Sequence, residues 1–213
     1  MEISLTIIII IITAITSFIA FSNQTVTDDL IFYPPAITKR HQWYRFITCG
    51  FIHADMAHLA FNMISFYFFG KITEPAFIEH FGDKGKLLFA ILYISALFVC
   101  LLPTYFKNKD NPGYRSLGAS GAVSAIIFVG IFIAPLDKIG LFILPPIIPG
   151  FIFGPLYLVI TAVMDKRGGG NINHSAHFWG AIYGIVFFSI ACFALSNFNP
   201  FTNFINQIKM EYF

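Results

Sequence analysis

Six apolar runs, each about as long as a membrane-crossing helix, divide this chain: roughly residues 3–22, 56–78, 85–105, 118–135, 139–164 and 173–196. A helix needs about 20 residues to cross bilayer hydrocarbon, and no ten-residue alternation suggests a barrel strand. The pattern therefore predicts an all-α, polytopic membrane protein: six transmembrane helices forming a single domain over residues 1–213. Only Glu2 precedes the first run, so it lacks the positive start of a signal peptide and is expected to be an uncleaved anchor, with a cleaved signal ending at the weak site Ala20-Phe21-Ser22 as the alternative. The one long connection, residues 23–55, carries Pro34-Pro35 and then Lys39-Arg40-His41-Gln42-Trp43-Tyr44-Arg45. Mixed cations and aromatics suit the membrane interface, so an interfacial loop is expected there. A polar, glycine-rich link, residues 165–171, precedes the last run, and the tail after Asn197 is short and mildly amphipathic.

Composition agrees with that environment. Of 213 residues, 57% are hydrophobic and 11% charged, against about 25% charged in soluble domains. The surrounding partner is therefore membrane lipid. A net charge of +2 is too small to imply a nucleic-acid partner. Cys49, Cys100 and Cys192 show neither a metal-like spacing nor a paired framework, and are expected to be buried small hydrophobes.

Polar side chains inside apolar runs are costly and usually functional. In a six-span topology, runs two, four and six all begin on the same side. His58 and Asn62 stand near the start of run two, Ser120 near that of run four, and His177 near that of run six. All four thus fall at a similar shallow depth below one face. His58 and Asn62 are four apart and share a helix face. His177, Gly180 and Gly184 stand at i, i+3 and i+7, so small residues line the histidine's face, as close helix approach requires. Run four offers Ser120 with Ser124 on one stripe and Gly121 with Ala125 on the next. Contact between these faces would bring Ser120 within hydrogen-bonding reach of His177.

The chemistry this predicts is a serine nucleophile activated by a histidine base. Ser120 opens a helix, where unpaired amides and the dipole favour negative charge. His58, Asn62 and the Ser120 amide are candidates for an oxyanion site. No acidic residue falls deep in a run, so a dyad is expected rather than a triad. Other hydrolytic inventories fail: there is no aspartate pair within the runs and no His-Glu-x-x-His, and the lysines within the run bounds, Lys71 and Lys86, fall toward the side opposite to Ser120. His174-Ser175-Ala176-His177 offers half a metal site that nothing completes, so no metal is expected.

These residues resemble a known family. Gly118-Ala119-Ser120-Gly121 is similar to the Gly-x-Ser-Gly of rhomboid intramembrane serine proteases. Residues 176–184 are similar to their Ala-His-x-x-Gly-x-x-x-Gly, and His58 to Asn62 to their His-x-x-x-Asn. The resemblance runs from about Trp43 to Ser196. It implies a six-helix core, no cofactor, and cleavage of single-span membrane proteins near the bilayer surface. It also implies Ser120 as nucleophile, His177 as general base, and His58 and Asn62 as oxyanion partners. Arg45 and Thr48 match the family's Trp-Arg-x-x-Thr element, with Tyr44 in the tryptophan's place beside Trp43. Glu74 matches a glutamate that supports the family's fold. Ser124 departs from the pattern: it stands where an aromatic often covers the histidine.

The resemblance further implies an active side facing away from the cytosol, and a bacterial inner (plasma) membrane is the expected location. Counting cations points the opposite way, with Lys39, Arg40, Arg45, Lys107, Lys109, Arg115, Lys166 and Arg167 on that outer side; the resemblance is followed. His53, Asn173, His174 and Ser175 are expected to line a wet cavity, Gly168-Gly169-Gly170 to form either a lid hinge or a plain flexible connector, and Pro145-Pro146, Pro149 and Pro155 to make run five irregular. Two other functions fit the same chain: a catalytically inactive rhomboid-like protein that binds membrane clients, and a small transporter. Retention of both serine and histidine argues against the first, and the clustering near one face argues against the second. The pattern does not fix an oligomeric state.

Overall fold

Helices account for nearly every described apolar run, because a backbone in hydrocarbon must pair its own polar groups. The computed structural model describes residues 4–140, 146–168, 170 and 172–213. In chain order the helices are α1 (Leu5–Ser22), α2 (Gln24–Leu30), α3 (Pro34–Arg40), α4 (Arg45–Thr48), α5 (Met56–Phe81) and α6 (Gly85–Val99). They continue with α7 (Leu102–Asn108), α8 (Ser120–Ile133), α9 (Gly150–Arg167), α10 (His174–Leu195) and α11 (Pro200–Tyr212). A two-residue antiparallel pair, β1 (Lys138–Ile139) with β2 (Ile148–Pro149), stands between α8 and α9. Among the described residues three helical stretches are long and apolar enough to cross a membrane: Leu5–Ser22, Met56–Asn108 and His174–Leu195, with Ser120–Ile133 apolar but shorter.

Backbone punctuation moves several expected boundaries. Run four begins at Ser120 rather than 118, because Gly118 sits at φ 113, outside the helical region. Run three ends at Val99 and resumes as α7, whose first turn contains Pro103, a residue that cannot donate to a continuing helix. Among the described residues of run five the helix starts at Gly150, straight after Pro149; Ile139, Ile148 and Pro149 belong to the strand pair instead. Pro155 does lie inside α9. Pro145, Gly169 and Asn171 lie outside the described residues. The expected interfacial loop is also corrected, since most of residues 23–55 is helical, in α2, α3, α4 and a 3-10 turn at Cys49–Phe51. The segment has its own core, in which Phe46 packs against Phe32, Phe98 and Tyr105.

α8 forms the axis of the fold and packs against α5, α6, α9, α10 and α11. It is hydrophobic all round, as an enclosed helix should be, and its C-terminal Ile133 carbonyl is capped by Asn203 and Gln207 of α11. α1 is built inside out for a soluble helix. Its buried positions are Thr6, Thr13, Ser17 and Ala20, while Ile11, Ile15 and Phe18 are exposed. Small polar residues in and large aliphatics out is the pattern of a helix whose outer solvent is lipid. All three cysteines are free and buried.

Candidate active site

The approach to Ser120 is pinned before the helix starts. Phe32 and Ser116 exchange backbone hydrogen bonds of 3.0 and 3.1 Å, and the Gly118 amide donates to the Cys49 carbonyl at 2.9 Å. The Ala119 amide donates to His53 Nε2 at 3.4 Å. Gly118 is required both for its positive φ and for space: a Cβ there would lie 2.7 Å from His58 Cε1. The chain then turns into α8 with Ser120 as the first helical residue. First-turn amides have no acceptor within their own helix, so the Ser120 hydroxyl sits at the electropositive end of α8.

His177 comes from the first turn of α10, whose start is held by Asn173: its side chain accepts from the Ala176 amide at 3.1 Å and from Thr104 Oγ1 at 3.1 Å. Small residues then bring the two helices together. A Cβ on Gly180 would meet the Gly121 carbonyl group, with its carbon at 2.8 Å; a Cβ on Gly184 would meet the Ala125 backbone, Cα at 2.8 Å. The result is a hydrogen bond of 2.7 Å between His177 Nε2 and Ser120 Oγ. A nucleophile and a base within that reach can exchange a proton directly.

The other expected residues fall into distinct places. The His58 ring lies against Gly118 and meets the His53 ring edge-on at 5.0 Å. Asn62 is buried and its amide donates to the His58 carbonyl at 3.0 Å. Among the described residues neither side chain hydrogen-bonds to Ser120. Arg45 is buried, with Nη1 donating to the carbonyls of Asp28 and Ile31 and Nε to Gln42; Thr48 donates to Leu30. Both knit the 23–55 segment together, at a distance from the chemistry. Glu74 accepts from Ser4, from the Leu5 and Thr6 amides and from Thr6 Oγ1 at 2.5–2.9 Å, and so caps the start of α1. Ser124 bonds Tyr157 of α9 at 3.0 Å. Trp43 and Tyr44 are half exposed.

A polar cavity of about 160 Å³ is lined by Asn173, His174 and Ser175 with Thr104, Asn108, Tyr114 and Asp165. Burial raises the Tyr114 hydroxyl above its usual pKa. His53 is not part of this cavity. It is 3% exposed and enclosed behind the active segment, where burial pushes its pKa down to about 3, with His58 adding to the effect. Burial also pushes the Cys49 thiol up to about 12, which leaves it an inert filler.

The profile of one family, described as the Rhomboid domain, matches residues 40–193. The chain belongs to the rhomboid family. Together with the apolar helices, this makes it an integral membrane protein. It is 31% identical over 155 residues to a protein named RHOMBOID-like protein 12, mitochondrial, of Arabidopsis thaliana, covering 67% of this chain and 45% of that one. To the Rhomboid-like protein 11, chloroplastic, of the same plant it is 29% identical, covering 68% and 51%. To the Rhomboid protease GlpG of Haemophilus influenzae it is 26% identical over 183 residues, covering 84% and 88%. The match therefore spans about half of the plant relatives' length but most of the bacterial one.

Periodicity did not reveal His53, Thr104 or Tyr157. His53 precedes the Asp55 cap of α5, so its relation to His58 is not helical, and each of the three acts across space on another element.

Proposed function

We propose that this rhomboid-family protein is an intramembrane serine endopeptidase that cleaves single-span membrane proteins near the bilayer surface. In this reading α1, α5, α6, α8, α9 and α10 cross the bilayer. The active side faces away from the cytosol of a bacterium, and α2 to α4 lie along the interface. The single observation that carries it is the 2.7 Å contact from His177 Nε2 to Ser120 Oγ at the N-terminal end of a buried helix.

Ser120 Oγ attacks the scissile carbonyl carbon while His177 Nε2 takes its proton. The carbonyl oxygen becomes an oxyanion facing the Ser120 amide, with the His58 ring and the Asn62 amide as further donors, each worth about 3–4 kcal/mol if well aimed. The C–N bond then breaks as Nε2–H protonates the leaving amine. Water attacks the acyl-Ser120 ester, again giving its proton to His177, and the acid product leaves with serine restored. The cavity beside His174 has room for about five waters at ~30 Å³ each. Its rim holds two buried atoms without a protein partner among the described residues, Asn173 Nδ2 and His174 Nδ1, which suits a water store. Gly168 and Gly170, both at positive φ, flank that rim and suit a movable cover. Substrate must present a locally unwound segment, because a helix hides its carbonyls.

Reporter cleavage by purified protein in liposomes tests the proposal. Wild type should cleave a single-span substrate, and Ser120→Ala and His177→Ala should both be inactive while folded. Cleavage by Ser120→Ala would refute it. A wild type that binds single-span proteins without cleaving any would favour a client-binding role.

A further inference from the structure

We propose that His53 is a positioning residue for the serine site: as a neutral, Nδ1-protonated imidazole it links α1 to the amide preceding Ser120 and braces the His58 ring. The proposal rests on the serine-protease function above and adds a residue to it.

Hydrogen-bond direction fixes the tautomer twice over. Ser17 of α1 is fully buried, and its hydroxyl lies 3.0 Å from both the Phe51 carbonyl and His53 Nδ1. A carbonyl only accepts, so the single Ser17 hydrogen goes to Phe51 and Nδ1–H must donate to Ser17 Oγ. At the other edge of the ring, the Ala119 amide only donates, so Nε2 at 3.4 Å must be bare. Both ends demand the same form, and a proton on Nε2 would set N–H against N–H. Burial, which holds the ring unprotonated down to about pH 3, agrees with this.

The relay runs Ala119 N–H to Nε2, then Nδ1–H to Ser17, then Ser17 O–H to Phe51. Ala119 is the cap residue of α8, and no side chain of its own caps that helix. His53 therefore holds the peptide immediately before the nucleophile, on the stretch that already borrows Phe32 and Cys49 for support. Its ring edge also supports His58 at 5.0 Å, and a Cβ on Gly118 would come within 3.8 Å of His53 Cδ2. One buried imidazole thus touches both walls of the oxyanion site without reaching the reacting atoms. Packing alone gives no reason to bury such a ring, since Phe or Leu would fill the space without needing partners.

The test compares wild type, His53→Phe and His53→Gln in liposomes, with active sites counted by a fluorophosphonate that labels Ser120. Phenylalanine keeps a ring against His58 and removes the acceptor; glutamine can place Oε1 where Nε2 lay. The expected result for His53→Phe is a kcat per titrated site about 10- to 100-fold lower, with KM within about twofold, since small misplacements act on the chemical step. His53→Gln should recover most of that loss even if both variants melt at the same lowered temperature. Equal kcat per site in wild type and His53→Phe would overturn the proposal and leave the protease function standing. Wild type that labels no faster than Ser120→Ala would overturn both. Nitrogen NMR of histidine-labelled protein reads the tautomer without any turnover: Nδ1–H is expected, and a proton on His53 Nε2 near neutral pH would overturn the proposal.

Discussion

Replacing Gly180 with alanine puts one methyl group into the tightest place in the molecule. The new Cβ would lie 2.8 Å from the Gly121 carbonyl carbon and nearer still to its oxygen, whereas ordinary Cβ contacts begin near 3.4 Å. The obstacle is backbone, so no rotamer change relieves it. The helices must part by ~0.6 Å to bring the carbon to ordinary contact, and by about 1 Å to bring the oxygen even to the ~3.0 Å floor that Cβ atoms keep. The crossing lies one turn from His177, whose bond to Ser120 is 2.7 Å. Adding 0.6–1 Å takes that bond to about 3.3–3.7 Å, beyond the usual range for this type. Overpacking of this kind costs about 1–3 kcal/mol of stability, and a misplacement near 1 Å costs about 100-fold in rate. The assay is kcat per fluorophosphonate-titrated site on a single-span reporter, with melting followed in the same liposomes. A Gly180→Ala variant that turns over at the wild-type rate would refute the claim that close approach of α8 and α10 sets the catalytic geometry.

Gly121→Ala differs because its nearest obstacle is the Cys100 sulfur, a side chain, with Cys100 Cβ at 3.1 Å and the Ala176 carbonyl oxygen at 3.2 Å. Reporter cleavage should fall in Gly121→Ala and recover in part when Cys100→Ala is added; no recovery would show that backbone limits this site too. Glu74→Ala strips the cap from α1 and should cost about 2–4 kcal/mol by thermal melting, since hydrogen bonds to a charged group are worth more than neutral ones. Glu74 stands 16 residues beyond His58, about 24 Å along α5, so kcat per titrated site should stay within about threefold. Acid should weaken wild type more than His53→Gln. An unfolded chain protonates this histidine near 6.5 but the folded one only near 3, so the unfolded state binds the extra proton as pH falls through that window. Between pH 6.5 and 5 the stability gap should narrow by up to about 2 kcal/mol, at ~1.4 kcal/mol per pH unit, and a constant gap by melting would contradict the buried neutral ring.

Apolar run lengths made the helical architecture legible, because hydrocarbon leaves the backbone no other choice. The boundaries were less so. Gly118, Pro103 and Pro149 stop helices through backbone constraints that a count of apolar residues ignores. The seam between α8 and α10 was legible in full, since Gly180 and Gly184 recur at helical spacing with His177 and face Gly121 and Ala125. The helices of residues 23–55 were hidden by their shortness. Segments of four to seven residues do not hold a helix alone, and these are fixed by tertiary partners such as Arg45 on the Asp28 and Ile31 carbonyls. His53 was assigned to a wet cavity because a lone histidine outside any helix carries no periodic signal of what it faces.

The family profile begins at residue 40, yet α1, wholly before it, docks onto matched residues at both ends. Near its start, Thr6 and the neighbouring amides are held by Glu74. Eleven residues further on, about 16 Å along the helix, Ser17 holds His53 and the Phe51 carbonyl. Between them Thr13 stays fully buried, so the inward stripe of α1 is polar along its length. A helix kept only as a membrane anchor would gain nothing from turning hydroxyls inward and would pay their desolvation. The Thr6 and Ser17 hydroxyls, each hydrogen-bonded, tie the two ends of α1 to residues 74 and 51–53, which greasy packing alone would leave free to slide. Under the proposed role of His53, Ser17 carries the seating of its own end of α1 to the peptide before Ser120, whereas Glu74, at the far end of the helix, serves the stability of the bundle.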